Sequence, residues 1–436
     1  MNRQHKLIAA GAAVAFAATS LVGSIASTTV AEDTWFYDPE RLEFEALPGA
    51  QAQWGDIDGA AWRLEVPEEW NGDLVMWAHG YRGEGFELYV DAPPIREHLI
   101  EQGYAWAASS YERNGYSVRQ GVDNTKELAD YVIGELLPEE PGRVFISGAS
   151  MGGHITGVAI EEHHRLYDGA MPICGVMGDY ELFDFFLDYT VVAQQLALGE
   201  SRFPVDASTH FTETVPAIKA AFEAVPGGWP FVLNETGEQF KAMVEKQSGG
   251  ERPNFDNAWP YWANFLFNQG GGNGVLPNSD GKSVIENTST RYQLDNNSDQ
   301  TAAERELNRN VVRVDFDKNA RNNEGISGLL RDRVLSLHNL GDLFVTFEME
   351  IDYAREVANA GRSNRLVTRA IRGVGHCDFT QYELTNGFDD LITWVETGAR
   401  PAGDDVLRPR AVAADDFGCQ FSDPDHTLHQ FAVPCD

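Results

Sequence analysis

The chain has 436 residues, with 67 Asp+Glu against 33 Lys+Arg, a net charge of −34, and 43% hydrophobic residues. So acidic a surface repels phosphate backbones and anionic head groups, which excludes nucleic acid and membrane surfaces as partners. The apolar content suffices for a large core and excludes general disorder. The length fits one large α/β domain with insertions, or two modest domains.

A saline habitat would account for the acidity, because salt screens the repulsion between hydrated carboxylates. Residues 1–31 have the layout of an export signal. Arg3 and Lys6 give a positive start, and Leu7 to Leu21 is apolar. Small residues follow at Ser24-Ile25-Ala26 and Thr29-Val30-Ala31. An uncleaved anchor is the alternative, since the apolar stretch approaches the length of a membrane span. With the signal removed, the protein is expected to be secreted or periplasmic, where disulfides persist. The four cysteines allow three pairings. Cys419–Cys435 is favoured because it closes a short loop in the tail, and Cys174–Cys377 then follows; four free thiols are the alternative.

In chain order, nearly continuous apolar runs predict strands at Trp62–Val66, Asp73–His79, Tyr104–Ser109, Arg143–Gly148, Gly169–Cys174, Arg333–His338 and Leu366–Arg372. Helical periodicity predicts helices at Ile95–Gln102, Gly121–Leu137, Met151–His164, Phe347–Ala360 and Asp389–Glu396. Strands alternating with helices argue an open, mostly parallel α/β sheet with helices on both faces.

The alternation breaks between residues 176 and 325. That stretch holds an apolar part from Tyr180 to Leu198, then Trp229, Phe231, Trp259, Tyr261, Trp262, Phe265 and Phe267. Its loose polar parts are Gly270 to Gly274 and Asp295-Asn296-Asn297. An insertion of that length reads as a helical lid, with an independent domain as the runner-up. The organisation expected is a core of residues 32–175 and 326–400, the insertion at 176–325, and an irregular disulfide-closed tail at 401–436.

The most informative motif is Gly148-Ala149-Ser150-Met151-Gly152, G-x-S-x-G between a predicted strand and a predicted helix. Glycines let the backbone turn sharply there, which lifts the serine hydroxyl out of the sheet above a helix N-terminus. A nucleophilic serine needs a base, a group to orient that base, and donors for the oxyanion. Asp342 lies just past the strand Arg333–His338, and His376 sits in the glycine-flanked turn Gly373-Val374-Gly375-His376-Cys377. Asp315, Asp317, Asp332 and the Glu or Asp residues of the insertion compete with Asp342, and His338 competes with His376. His79 reads as a hydrogen-bonded scaffold residue, and His154 as packed or solvent-facing on the helix after Ser150.

Ser, Asp and His in that order, each after a different strand, resemble the α/β-hydrolase superfamily across roughly residues 55–400. The apolar run Leu74 to Ala78 ending in His79-Gly80 resembles that superfamily's oxyanion-hole strand. The resemblance implies backbone N–H groups of Tyr81 and Met151 as the oxyanion donors. The pair His376-Cys377 also resembles the tannase and feruloyl esterase branch, in which a cysteine just before the serine bridges to the one after the histidine. Position 149 is alanine here, so that bridge cannot form, and phenolic-ester specificity is not adopted.

Glu161-Glu162-His163-His164 reads as a solvated helix end, since consecutive helical positions do not face one metal. Asp315 to Asn319 begins like a calcium loop but lacks its sixth-position glycine and terminal glutamate. Gly270 to Gly274 lacks the Lys-Ser/Thr of a phosphate cradle. The expectation is a secreted serine esterase with the triad Ser150, Asp342 and His376, no cofactor, and a small-molecule or polymeric ester substrate. The alternatives are a prolyl- or aminopeptidase with Glu181, Asp184 and Asp188 near an ammonium site, a polyester depolymerase, or a non-catalytic binding protein.

Overall fold

The computed structural model describes residues 35–276, 281–295, 299–317, 325–425 and 431–435. The expected export signal, and Asn296 and Asn297 of the polar stretch, lie outside the described residues. Eight strands form one sheet: β1 (Ala50–Ile57), β2 (Ala60–Pro67), β3 (Asp73–Ala78), β4 (Ala105–Ser109), β5 (Arg143–Ala149), β6 (Gly169–Ile173), β7 (Arg333–Asn339) and β8 (Leu366–Ile371). Their spatial order is β1-β2-β4-β3-β5-β6-β7-β8. The pairs β1/β2 and β2/β4 are antiparallel, and the remaining neighbours are parallel.

Side chains alternate across the two faces of a strand, so a doubly covered strand must be apolar throughout. β3 shows this directly. Leu74, Met76 and Ala78 enter one core cluster, while Val75 and Trp77 enter the other. In β5, Val144 and Ile146 face the first cluster and Phe145 the second. Burying such side chains stabilises the sheet by about 1.5–3 kcal/mol each. The covering helices of the core are α1 (Arg96–Glu101), α2 (Val118–Tyr131), α3 (Met151–Glu162), then α9 (Glu348–Asn359) and α10 (Gln381–Thr397).

Between β6 and β7 the chain makes no strand of the sheet among the described residues. It forms α4 (Glu181–Leu198), α5 (Val215–Phe222), α6 (Glu235–Gln247), α7 (Phe255–Leu266) and α8 (Ala302–Asn310). Most of the aromatic residues of this stretch are core to it. Tyr189 packs on Phe240 and Phe267, and Trp229 on Trp259. Phe231 and Tyr261 are exceptions, both exposed. Among the described residues past 400 the chain is irregular apart from one turn of helix at Pro409–Val412, and Cys419 is joined to Cys435. Among the described residues no helix is long and apolar enough to cross a membrane.

Two expectations need correction. The sheet begins with β1, which was not predicted, because AQAQWGDI lies on an edge hairpin with Gln51, Trp54 and Asp56 exposed and none of its residues buried, leaving no apolar run. Helix α10 starts at Gln381 rather than Asp389, held by a capping box in which Thr380 and Glu383 satisfy each other's backbone N–H.

Candidate active site

Strand β5 delivers Ser150 into the turn before α3 at φ 61° and ψ −121°. A non-glycine residue persists in that region only where its surroundings hold it. Ser150 donates its backbone N–H to Ile173 O at 3.0 Å, and its carbonyl accepts from Gly153 N at 2.9 Å. The neighbouring glycines are sterically required. A Cβ at Gly152 would stand 2.0 Å from Ala78 O, and one at Gly148 would stand 2.3 Å from Gly152 O.

The loops after β7 and β8 meet at this turn. Asp342 is fully buried, and its Oδ1 accepts from Phe344 N at 2.9 Å and Val345 N at 3.0 Å. Its Oδ2 lies 2.5 Å from His376 Nδ1. His376 Nε2 lies 2.9 Å from Ser150 Oγ. The hydroxyl, the imidazole and the carboxylate therefore stand in one hydrogen-bonded line. Backbone donors on Oδ1 fix the carboxylate so that its other oxygen faces the ring.

The chain has the α/β-hydrolase fold. The serine turn follows the fifth strand, the acid the seventh and the histidine the eighth, all at the same sheet edge. In this fold the backbone after β3 runs beside Ser150. A Cβ on Gly80 would lie 3.2 Å from Ser150 Cβ and 3.7 Å from its Oγ. Tyr81 follows directly, and its phenol donates to Glu84 Oε1 at 3.0 Å. Met151 is the first residue of α3, where a backbone N–H has no acceptor within the helix.

His79 is buried, with Nδ1 2.7 Å from Gly80 O and Nε2 3.0 Å from Ser110 O, and its ring stacks on Tyr111. Burial keeps its pKa well below the ordinary value. His154 is also fully buried, between Tyr116 Oη at 2.8 Å and Asp179 Oδ1 at 3.1 Å. His338, the competitor of His376, is buried with Nε2 2.9 Å from Val345 O, and burial lowers its pKa. Asp332 immediately precedes β7, at the strand end opposite the triad. Of the loop beginning at Asp315, Lys318 and Asn319 lie outside the described residues.

At the end of α3, Glu162 pairs with Arg119, Glu161 accepts from Ser327 N at 2.9 Å, and His164 lies 3.1 Å from Arg331. These groups are spent on protein partners rather than gathered round an ion. Cys174 at the end of β6 is joined to Cys377, whose Sγ is 3.5 Å from His376 Nε2. Bonded to each other, the two sulfurs offer no thiolate to a metal.

Sequence reasoning missed the residues that hold the loops together. The Asn339 side chain clasps both backbone groups of Asp378, through Nδ2 to O at 2.8 Å and Oδ1 to N at 3.0 Å. Gly341 N donates to Gly373 O at 2.8 Å. The ring of Phe344, half-buried, meets His376 edge-on at 5.2 Å and packs on Phe186 and Phe265. One wall beside His376 is therefore aromatic.

No family model matches the chain. It is similar to the o-phthalyl amidase of Xanthobacter agilis, 20% identical over 416 residues, covering 80% of this chain and 88% of that one. Among solved structures, it is similar to an esterase from Aspergillus oryzae, 14% identical with a TM-score of 0.47, over 81% of this chain and 80% of that one. Feruloyl esterase B from the same organism has 14% identity and a TM-score of 0.41, over 79% and 80%. The acylaminoacyl peptidase of Pyrococcus horikoshii has 10% identity and a TM-score of 0.41 over 83% of this chain, which spans 44% of that protein.

Proposed function

We propose that this protein is a secreted serine hydrolase that cleaves carboxylic esters through an acyl-enzyme, with Ser150, His376 and Asp342 as its triad. The observation that carries the reading is the line from Ser150 Oγ to His376 Nε2 to Asp342 Oδ2, at 2.9 and 2.5 Å. His376 accepts the hydroxyl proton as Oγ bonds to the substrate carbonyl carbon. The carbonyl oxygen becomes an anion held by the backbone N–H groups of Tyr81 and Met151. Collapse of this intermediate expels the alcohol, which takes the proton from His376 Nε2. Water then repeats the sequence on the acyl-enzyme and releases the acid. Asp342 keeps the Nδ1 proton in place and supports the imidazolium.

Residues 176–325 act as the lid. Ser150 is only 8% exposed, so water is largely kept from the nucleophile. The two disulfides support an extracellular setting.

Amide hydrolysis is the second reading, favoured by the similarity to an amidase. An aminopeptidase has less support, because the lid carboxylates have other duties. Asp188 is buried against Tyr292 and Gln247, and Asp184 accepts from Glu286 N at 2.7 Å. Burial and the neighbouring Asp352 push Glu181 up to about 8. A panel of p-nitrophenyl esters against p-nitroanilides ranks the two readings. Ser150→Ala should lose turnover and fluorophosphonate labelling with an unchanged circular dichroism spectrum. Turnover that survives Ser150→Ala would refute the assignment.

A further inference from the structure

We infer that Trp262, on helix α7 of the insertion, is a positioning residue that locks the acid and base loops of the triad to each other. The inference rests on the triad proposed above. The indole Nε1–H of Trp262 points between two backbone carbonyls, Val374 O at 2.8 Å and Gly341 O at 3.0 Å. Gly341 immediately precedes Asp342, and Val374 stands two residues before His376. One donor, shared by two acceptors, thus spans the loop carrying the acid and the loop carrying the base.

The surroundings make this contact hard to replace. Trp262 is 6% exposed, so water has little access to either carbonyl from its side. The two loops touch backbone to backbone at glycines, and a Cβ on Gly341 would lie 2.8 Å from Gly373 O. From the same insertion, buried Arg252 donates Nε–H to Leu340 O at 2.7 Å, one residue further back on the acid loop. Its other donors bind Gly250 O and Ser248 Oγ, which fastens the guanidinium to the insertion. Trp262 also lies against Phe344, the ring that meets His376 edge-on. The insertion therefore governs the register of Asp342 and His376 as well as access to Ser150.

Without the indole donor, two buried carbonyls lose a shared partner and repel each other, and the loops part. The short Asp342–His376 bond depends on that spacing, while the aromatic wall does not. Trp262→Phe keeps a ring of similar placement and removes only the N–H. The expected result is a fall in kcat of roughly ten- to a hundred-fold with KM changed little, because a small misplacement of catalytic groups costs about that much. The downfield proton NMR signal of the His376 Nδ1–H should shift or broaden in the same variant.

Arg252→Met is the second variant, should Trp262→Phe not fold, and is expected to show the same split between kcat and KM. A folded variant with kcat within about twofold of wild type and an unmoved downfield signal overturns the inference, as does a loss confined to KM. Ser150→Ala measured alongside separates the two readings. Turnover lost in Ser150→Ala but kept in Trp262→Phe overturns this inference alone, whereas turnover surviving in Ser150→Ala overturns both.

Discussion

Glu350 should contribute a loss of stability as pH rises, and Glu350→Gln should remove that group's share of it. Glu350 lies on α9, fully buried beneath β7, where Ser336 Oγ donates to its Oε2 at 2.7 Å. His338 Nδ1 lies 3.9 Å away, and Asp404 and Tyr353 also interact with this carboxyl, Asp404 adding like charge. Burial is the main cause that pushes the carboxyl from its ordinary value near 4.5 up to about 8. Between those two values the folded protein binds this proton and the unfolded chain does not. Stability from this group is therefore whole below about 4.5 and is lost as pH rises through about 8. The full interval corresponds to at most on the order of 5 kcal/mol, at about 1.36 kcal/mol per pH unit.

Glutamine has nearly the same shape, keeps an oxygen for Ser336 and has no proton to lose. The assay is the urea-unfolding free energy of both proteins at about pH 5, 6.5, 8 and 9, at constant ionic strength. The variant-minus-wild-type difference should climb by at least about 2 kcal/mol between pH 5 and 8, then level off. Parallel curves across that range would show that the side chain does not hold its proton, and the reasoning would fail.

Asp342→Asn should lower kcat by roughly 10⁴-fold without unfolding the protein, because an amide N–H facing Nδ1 drives the imidazole proton to Nε2, where it cannot accept from Ser150. Retention of more than a tenth of wild-type kcat would count against it. With a net charge of −34, the melting temperature should rise by several degrees from low salt to molar salt. A flat melting curve across that series would remove the saline-habitat reading.

The core of the sheet was legible because burial on both faces forces continuous apolar runs, as in Leu74 to Ala78 and Arg333 to His338. Chain order singled out Ser150, Asp342 and His376 because each follows its own strand. What stayed hidden obeys no period. The indole N–H of Trp262, the guanidinium of Arg252 and the amide of Asn339 all bond to backbone groups, and a backbone group has no sequence identity to match. Trp262 looked like any other aromatic residue of the insertion. The start of α10 was signalled by T-x-x-E at Thr380 and Glu383, but its first turns are too polar for a pattern that weighs only apolar spacing. The strand β1 was missed for the same reason, as three of its eight residues are exposed and none is buried.

Cys174 and Cys377 are 203 residues apart, and the insertion together with β7 and β8 is strung between them. A protease that severs the chain anywhere in that interval leaves a molecule in one covalent piece. Ser150 would then sit on one fragment and His376 on the other, stitched together one residue from the imidazole. Nicking in a protease-rich setting need not scatter these residues, because the cut halves stay joined by the disulfide.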